Sequence, residues 1–547
     1  MNERISEILG DLVKIYSLSY SGNEVAAAEW FRDFFSSMEY FRNNPELYGL
    51  SDIPGDPFGR KVPYALVRGK KKETVILSGH MDVVTIDNYG TAKEFALDIR
   101  SANLRSALAE LKLTPAQRQD LESGEWIFGR GAADMKGGLS VHAFLTEEFA
   151  KLAMKGELEG SVLFVPVCDE ECYSAGMRQA ITIMKDMKKR FDLDYKLMID
   201  PEPTADMNGT LNMSLGTIGK IMPAVIVQGK TAHSGHCYEG ISSLSIMSDI
   251  YLKTNGSLDF VDTYKDEASM PPCWLNMRDL KTTYDVSLPQ RSGGYLSCLT
   301  FSSTPEEIID KLKAIAKSAM TEQVEKLDRE YQEFKKMNVH ETKDKIHYEP
   351  LVLTFSELKK RLHEKDGEAF DAFFSELCRK AQQAVEKGED NYPSATLEIM
   401  NQVLDHSGIT EPCVILGFAP PYYPPMHADL VAGKEGTGTK VFEFLKDINR
   451  EYGLDISCEN YFSAISDLSY SAVTAPFNVK TYSDNTALWG SAYAIDFEAI
   501  EEINVPGIIY GPRGKDYHTF TERVNKNDLL VIIPETTRRL IEFAWKM

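Results

Sequence analysis

Five segments of this sequence carry a histidine or carboxylates beside a short apolar run. ETVILS (73–78) leads into GHMDVV, with His80 and Asp82, and EWIFGRGAADMKGG supplies Asp134. SVLFVPV leads into CDEECYSAG, with Asp169, Glu170 and Glu171, and YKLMI leads into DPEPT, with Asp200 and Glu202. PGIIY leads into GPRGKDYHTFTERV, with Asp516 and His518. Two imidazoles with several carboxylates are a metal-binding set, suited to zinc, manganese or cobalt; an all-oxygen set would favour magnesium or calcium. Three ligating carboxylates carry too much charge for one divalent ion but match two ions sharing a hydroxide, which can activate water and polarise a carbonyl. The H-x-D spacing puts Asp82 on the same face of the chain as His80, where it can orient the imidazole.

The surrounding pattern says which elements position these residues. Ile5, Ile8, Leu9, Leu12 and Val13 recur with helical period, and a second helix is predicted from Ser21, with Ser21 and Glu24 as a capping box. Apolar runs at 73–78, 161–167, 195–199 and 506–510 read as strands, with helices near 136–155 and 174–190. Such alternation predicts a mixed, mostly parallel sheet covered by helices, an α/β core whose ligand site lies beyond the carboxyl ends of its strands. Between them, 211–229 reads as one or two long strands, 304–334 as a long charged helix, 356–387 as further helix and 413–420 as strand. The predicted organisation is a catalytic domain over 1–214, an inserted and enlarged α+β lid over 215–430, and the rest of the catalytic domain over 431–547.

Composition excludes several classes. Hydrophobic residues at 43% rule out a disordered chain, and no stretch of about 18 uncharged apolar residues exists to span a bilayer. Sixty Lys and Arg against 82 Asp and Glu leave a formal charge of −22, which opposes binding to nucleic acid or anionic membranes. Eight cysteines without a CxxC, and no secretory layout at the amino terminus, predict a cytoplasmic protein with reduced thiols. HETKD and HEKDG lack the second histidine of a thermolysin-type site, and no G-x-S-x-G elbow is present.

GHMDVV, GRGAADMKGG, CDEE and GPRGKDYH resemble, in this order, the co-catalytic metallopeptidases and deacylases of the M20 family, and GKTAHSGHCYEGISS resembles that family's lid histidine motif. RDLKTTYDVSLPQ, FAPPYYPP, SAISDLSY and GPRGKDYHTFTERV further resemble the family's arginine-utilisation branch. The resemblance implies hydrolysis of an amide bond in a small peptide or N-acyl amino acid, with two divalent ions, zinc or else manganese or cobalt. It implies that His80 and Asp200 hold one metal, Glu171 and His518 the other, and that Asp134 bridges them. DPEPT stands where many members have GEPT, so Asp200 and Glu202 compete; Asp200 is favoured because it directly ends the strand. Glu170 is implied as general base, Asp82 as a further catalytic residue, and His233 as oxyanion donor from the lid or from a partner subunit in a homodimer.

Each residue also has a plainer reading. A strand-end histidine such as His80 is by itself more often structural, DEE could be solvated surface, and His236 rivals His233. His142 lies on an apolar helix face and reads as core, and Cys168 and Cys172 read as buried small hydrophobes. Arg291, Arg278 and Arg513 are open alternatives for clamping a substrate carboxylate. Two functional alternatives stay open: a hydrolase of ureido or amidino C–N bonds, and a non-catalytic metal-containing sensor for an arginine-related ligand.

Overall fold

The computed structural model describes residues 2–205, 209–338, 340–474 and 478–547. The chain forms two compact units: Met1–Ile218 with Pro425–Thr474 and Asp496–Met547, and Gly219–Pro424 with Ala475–Ile495.

The first unit is built on a sheet of β1 (Tyr48–Asp52), β2 (Lys61–Val67), β3 (Glu73–His80), β4 (Ser161–Val167), β5 (Asp194–Asp200), β6 (Leu211–Ser214), β7 (Ile456–Glu459) and β8 (Gly507–Ile509). Their spatial order is β1-β2-β4-β3-β5-β8-β6-β7, and the central β4, β3, β5 and β8 run parallel. Every residue of β4 is buried, as are seven of the eight in β3, which is why these segments read as continuous apolar runs. The register sets His80 beside Val167 and Asp200 beside Ile509, so several strands release their chain at one level.

Helices α1 (Asn2–Lys14), α2 (Glu24–Ser37), α3 (Lys136–Met154), α4 (Ala175–Phe191), α5 (Thr437–Glu451) and α6 (Ile533–Ala544) cover the sheet. The periodic face of α1 is buried, and the helix packs on α3. The capping box predicted at Ser21 does not form: α2 starts at Glu24, with Asn23 at its N-cap. Arg60 draws the Glu24 carboxylate into the core instead, leaving only the Ser21 N–H donating to Glu24 Oε2 at 3.2 Å.

The second unit has its own sheet, ordered Gly219–Ile221, Arg291–Thr300, Pro223–Gln228, Cys413–Phe418, Leu351–Thr354, with Cys273–Asp279 also paired to Arg291–Thr300. The region predicted as one or two strands at 211–229 therefore breaks into four, between Ser214 and Gly216, Thr217 and Gly219, and Ile221 and Pro223. The predicted helix at 356–387 is two, Phe355–Asp366 and Glu368–Glu386, because Gly367 takes φ +56°. The later stretch joins this unit through Asn485, whose carbonyl accepts from Phe418 N–H and whose side chain accepts from Ser356 N–H. No helix among the described residues is long and apolar enough to cross a membrane.

Candidate metal centre

His80 is the last residue of β3 and is almost wholly buried. Its Nδ1 lies 3.0 Å from the Asp82 backbone oxygen and 3.7 Å from Asp82 Oδ1, so the second residue of H-x-D fixes the ring. The opposite nitrogen, Nε2, faces Asp134 Oδ1 at 3.0 Å and Glu202 Oε1 at 3.5 Å. The other oxygen of Asp134, Oδ2, faces His518 Nε2 at 3.1 Å, and the same nitrogen is 2.8 Å from Glu171 Oε1. Asp134 thus turns one oxygen to each histidine, the disposition of a bridging carboxylate. Among the described residues, three groups have ligand atoms within 4.8 Å of one another: His80, Glu170, Glu171; His80, Asp134, Glu202; and Asp134, Glu171, His518.

Local structure delivers each donor. After β4 the chain turns sharply at Asp169, whose φ is +69° and whose carbonyl accepts from Cys172, Tyr173 and Ser174 N–H groups. The buried Asp82 carboxylate accepts from the N–H groups of Glu170 and Glu171, which aims both side chains into the cluster. Glu24 accepts from Asp169 N–H and pairs with Arg60 at 2.8 Å, which also pairs with Asp169 at 2.8 Å; this buried network holds the turn from behind. Gly138, at the start of α3, lies so close to the DPEPT turn that a Cβ would come 2.2 Å from the Pro201 oxygen, so the Asp134 and Glu202 segments meet without side chains between them.

Glu522 accepts from Ala133 and Asp134 N–H groups at 3.2 Å and pairs with the buried Arg130. It ties the Asp134 loop to the His518 loop. Sequence reasoning assigned Arg130 and Glu522 no role, although both lie in quoted motifs, GRGAAD and TERV. Asp467, from SAISDLSY, was passed over too; it is buried, and its charge helps raise Glu170.

Burial, reinforced by neighbouring carboxylates, pushes Glu170, Glu171 and Glu202 above the usual carboxylate range. Hydrogen bonds that His518 donates to Asp134 and Glu171 push it up to about 10, and burial of His80 is outweighed by Asp134 and Glu202, which raise it. Asp134 is driven up by burial but held low by both histidines. A buried set of this density, with imidazole and carboxylate donors, fits divalent cations of the zinc, manganese and cobalt kind.

Asp200, favoured from the sequence as a ligand, is in none of the three groups, whereas Glu202 is in one. Both Asp200 oxygens are buried, and burial raises the carboxyl to about 7. His233 belongs to the second unit, where it is exposed and its Nδ1 accepts from Gly235 N–H at 3.1 Å. His142 is core, Cys168 is buried and Cys172 half-buried. Arg291 is engaged by Gln228, Asn401 and Asp405, and Arg513 by Asp528, while Arg278 is exposed.

A family profile, peptidase family M20/M25/M40, matches residues 76–538. The chain is 29% identical to the uncharacterised protein YqjN of Bacillus subtilis, over 97% of this chain and 95% of that one. It is 27% identical to protein RocB of Bacillus subtilis, over 99% and 95%. Its fold is similar to that of the Bacillus subtilis YXEP protein, described as a dinuclear metal-binding peptidase from the M20 family, with a TM-score of 0.52 at 9% identity, covering 100% of this chain and 98% of that one. The profile spans both sides of the second unit, from β3 to the last helix, and the chain belongs to peptidase family M20/M25/M40, as a metal-dependent hydrolase.

Proposed function

We propose that this hydrolase holds two divalent ions and cleaves an amide bond of a small amino-acid-derived substrate, a peptide or an N-acyl amino acid. The observation that carries this reading is Asp134, with one oxygen toward His80 and the other toward His518. His80 and Glu202 would hold one ion and Glu171 and His518 the other, with Asp134 shared. Glu202 replaces Asp200 in this assignment, because it faces His80 Nε2. Bound there, two such ions supply Lewis acidity and a water activated near neutral pH.

The chain's own groups do the rest. Glu170 sits beside the donors yet is left over from the two ligand pairs, so it serves as general base, taking a proton from the attacking water and passing it to the leaving amine. Its raised affinity for protons suits both halves of that task. Asp82 keeps it in place through the backbone and keeps His80 turned toward the cluster. His233 is proposed as donor to the developing oxyanion, from the lid or from a partner subunit, as its motif implies. The resemblance of SAISDLSY and GPRGKDYHTFTERV to the arginine-utilisation branch puts arginine derivatives among the substrates to test.

The test is a mass-spectrometric hydrolysis screen of dipeptides, N-acyl amino acids and arginine derivatives with zinc, manganese or cobalt added. Activity that falls by about 10²- to 10⁴-fold in Glu170→Ala, with metal content kept, is the expected result. Two bound metals with no turnover of any compound in the panel would overturn the amidase reading.

A further inference from the structure

Fifty-four positions separate His80 from Asp134, and beyond Asp82 the proposed chemistry leaves that stretch unused. It folds as a small layer of its own, with helical segments Asp87–Phe95, Asn103–Ala109 and Pro115–Ser123 around a cluster of Tyr89, Leu104, Leu108 and Leu121. Its polar side chains do not simply face solvent. The Asn88 side-chain amide donates to the His518 backbone oxygen at 2.6 Å, and Arg130 donates to the same oxygen at 3.1 Å. Gln117 Nε2 donates to Asp516 Oδ2 at 2.8 Å and to Thr521 Oγ1 at 2.9 Å. Asp120 pairs with Arg523 at 2.8 Å and Lys515 at 3.2 Å, and Arg523 pairs in turn with Asp516 at 2.5 Å.

These contacts converge on a strained loop. Asp516 and His518 have φ of +57° and +62°, the left-handed region that residues other than glycine adopt only where the surroundings impose it. His518 is also the ligand candidate with the most open side chain, 49% exposed, so packing alone does not fix its ring. Gln117 is itself aimed from both ends: its Oε1 accepts from Thr114 N–H as part of the capping box of Pro115–Ser123, which leaves its Nε2 pointing at the loop.

We propose that the 87–123 segment is a brace for the second metal position, with Asn88 and Gln117 as positioning residues that hold the His518 loop in its ligating conformation. This rests on the dinuclear reading above. The discriminating substitution is Gln117→Glu, which keeps the acceptor that caps the helix but removes both donated bonds and sets a carboxylate against Asp516. Asn88→Ala removes the bond to the His518 oxygen independently. Thr114→Ala is the counterpart, loosening the helix cap while leaving the donated bonds.

The experiment titrates zinc into the metal-free full-length chain by calorimetry, with the melting temperature of each metal-free variant measured alongside. Wild type takes two equivalents; fewer would overturn the dinuclear reading itself, before any variant is made. Gln117→Glu and Asn88→Ala are expected to weaken one of the two zinc sites about 10- to 100-fold, leaving the other and the metal-free melting temperature unchanged. Thr114→Ala is expected to melt earlier yet bind both zinc ions as wild type does. Wild-type affinity at both sites in folded Gln117→Glu and Asn88→Ala would overturn the brace. Equal weakening of both sites in step with a lowered melting temperature would also overturn it, since that is mere loss of structure.

Discussion

Glu202 and Asp200 lie two positions apart and are both buried carboxylates, yet only Glu202 faces His80 Nε2. Removing the charge from each separates a ligand from a neighbour. Glu202→Gln should lower zinc stoichiometry toward one equivalent, whereas Asp200→Asn should keep two; elemental analysis after dialysis reads the difference, and the opposite pattern would return the ligand role to Asp200. The choice between them was illegible in the sequence because it is made beyond the end of the strand. The Pro201–Pro203 turn decides which carboxylate swings back toward β3, and a period-two pattern stops where the strand stops. His80, Asp134, Glu171 and His518 were legible as converging residues, since each follows or adjoins a segment whose apolar character marks a strand end or loop of the core. Arg130 and Glu522 were harder to see, because an ion pair across 392 positions leaves no local periodicity.

At the scale of elements, helix α3 carries a cost that pH should expose. His142 is buried in it, with an unpartnered Nδ1, and burial holds its pKa down at about 3. The unfolded chain, titrating near 6.5, takes up the proton first as pH falls, so this residue costs stability progressively between pH 6.5 and 3 and nothing above. Between pH 7 and 5 the loss is about 2 kcal/mol. Denaturant unfolding of wild type and His142→Leu at the two pH values should show the variant losing less by that amount; parallel losses would refute it. The helix itself was plain from its apolar residues, as were the four strands that bear the cluster. What local pattern misread was the start of α2, because the Ser21–Glu24 box competes with Arg60, a partner 36 positions away, and the buried ion pair wins.

For the whole molecule, the proposed donors all belong to the first unit, so metal should stabilise that unit alone. Two ions present at about 1,000 times their dissociation constants contribute roughly 4 kcal/mol each. Calorimetric scans with and without a chelator should show one transition falling by about 5 °C or more while the transition of the second unit stays in place. A scan that does not respond to chelation would contradict a resident dinuclear centre.

The first unit is completed from three separated stretches: four of the proposed donors precede the second unit in the chain, and His518, with the Glu522 that steadies Asp134, comes after the whole of it. A growing chain therefore exposes a half-built, strongly anionic pocket throughout synthesis of the second unit. On the proposed assignment, a polypeptide stopped anywhere before His518 lacks one donor to its second ion and keeps only Glu171 and the shared Asp134. Metal retention becomes a readout of completeness, distinguishing finished molecules from fragments that have folded most of the same sheet.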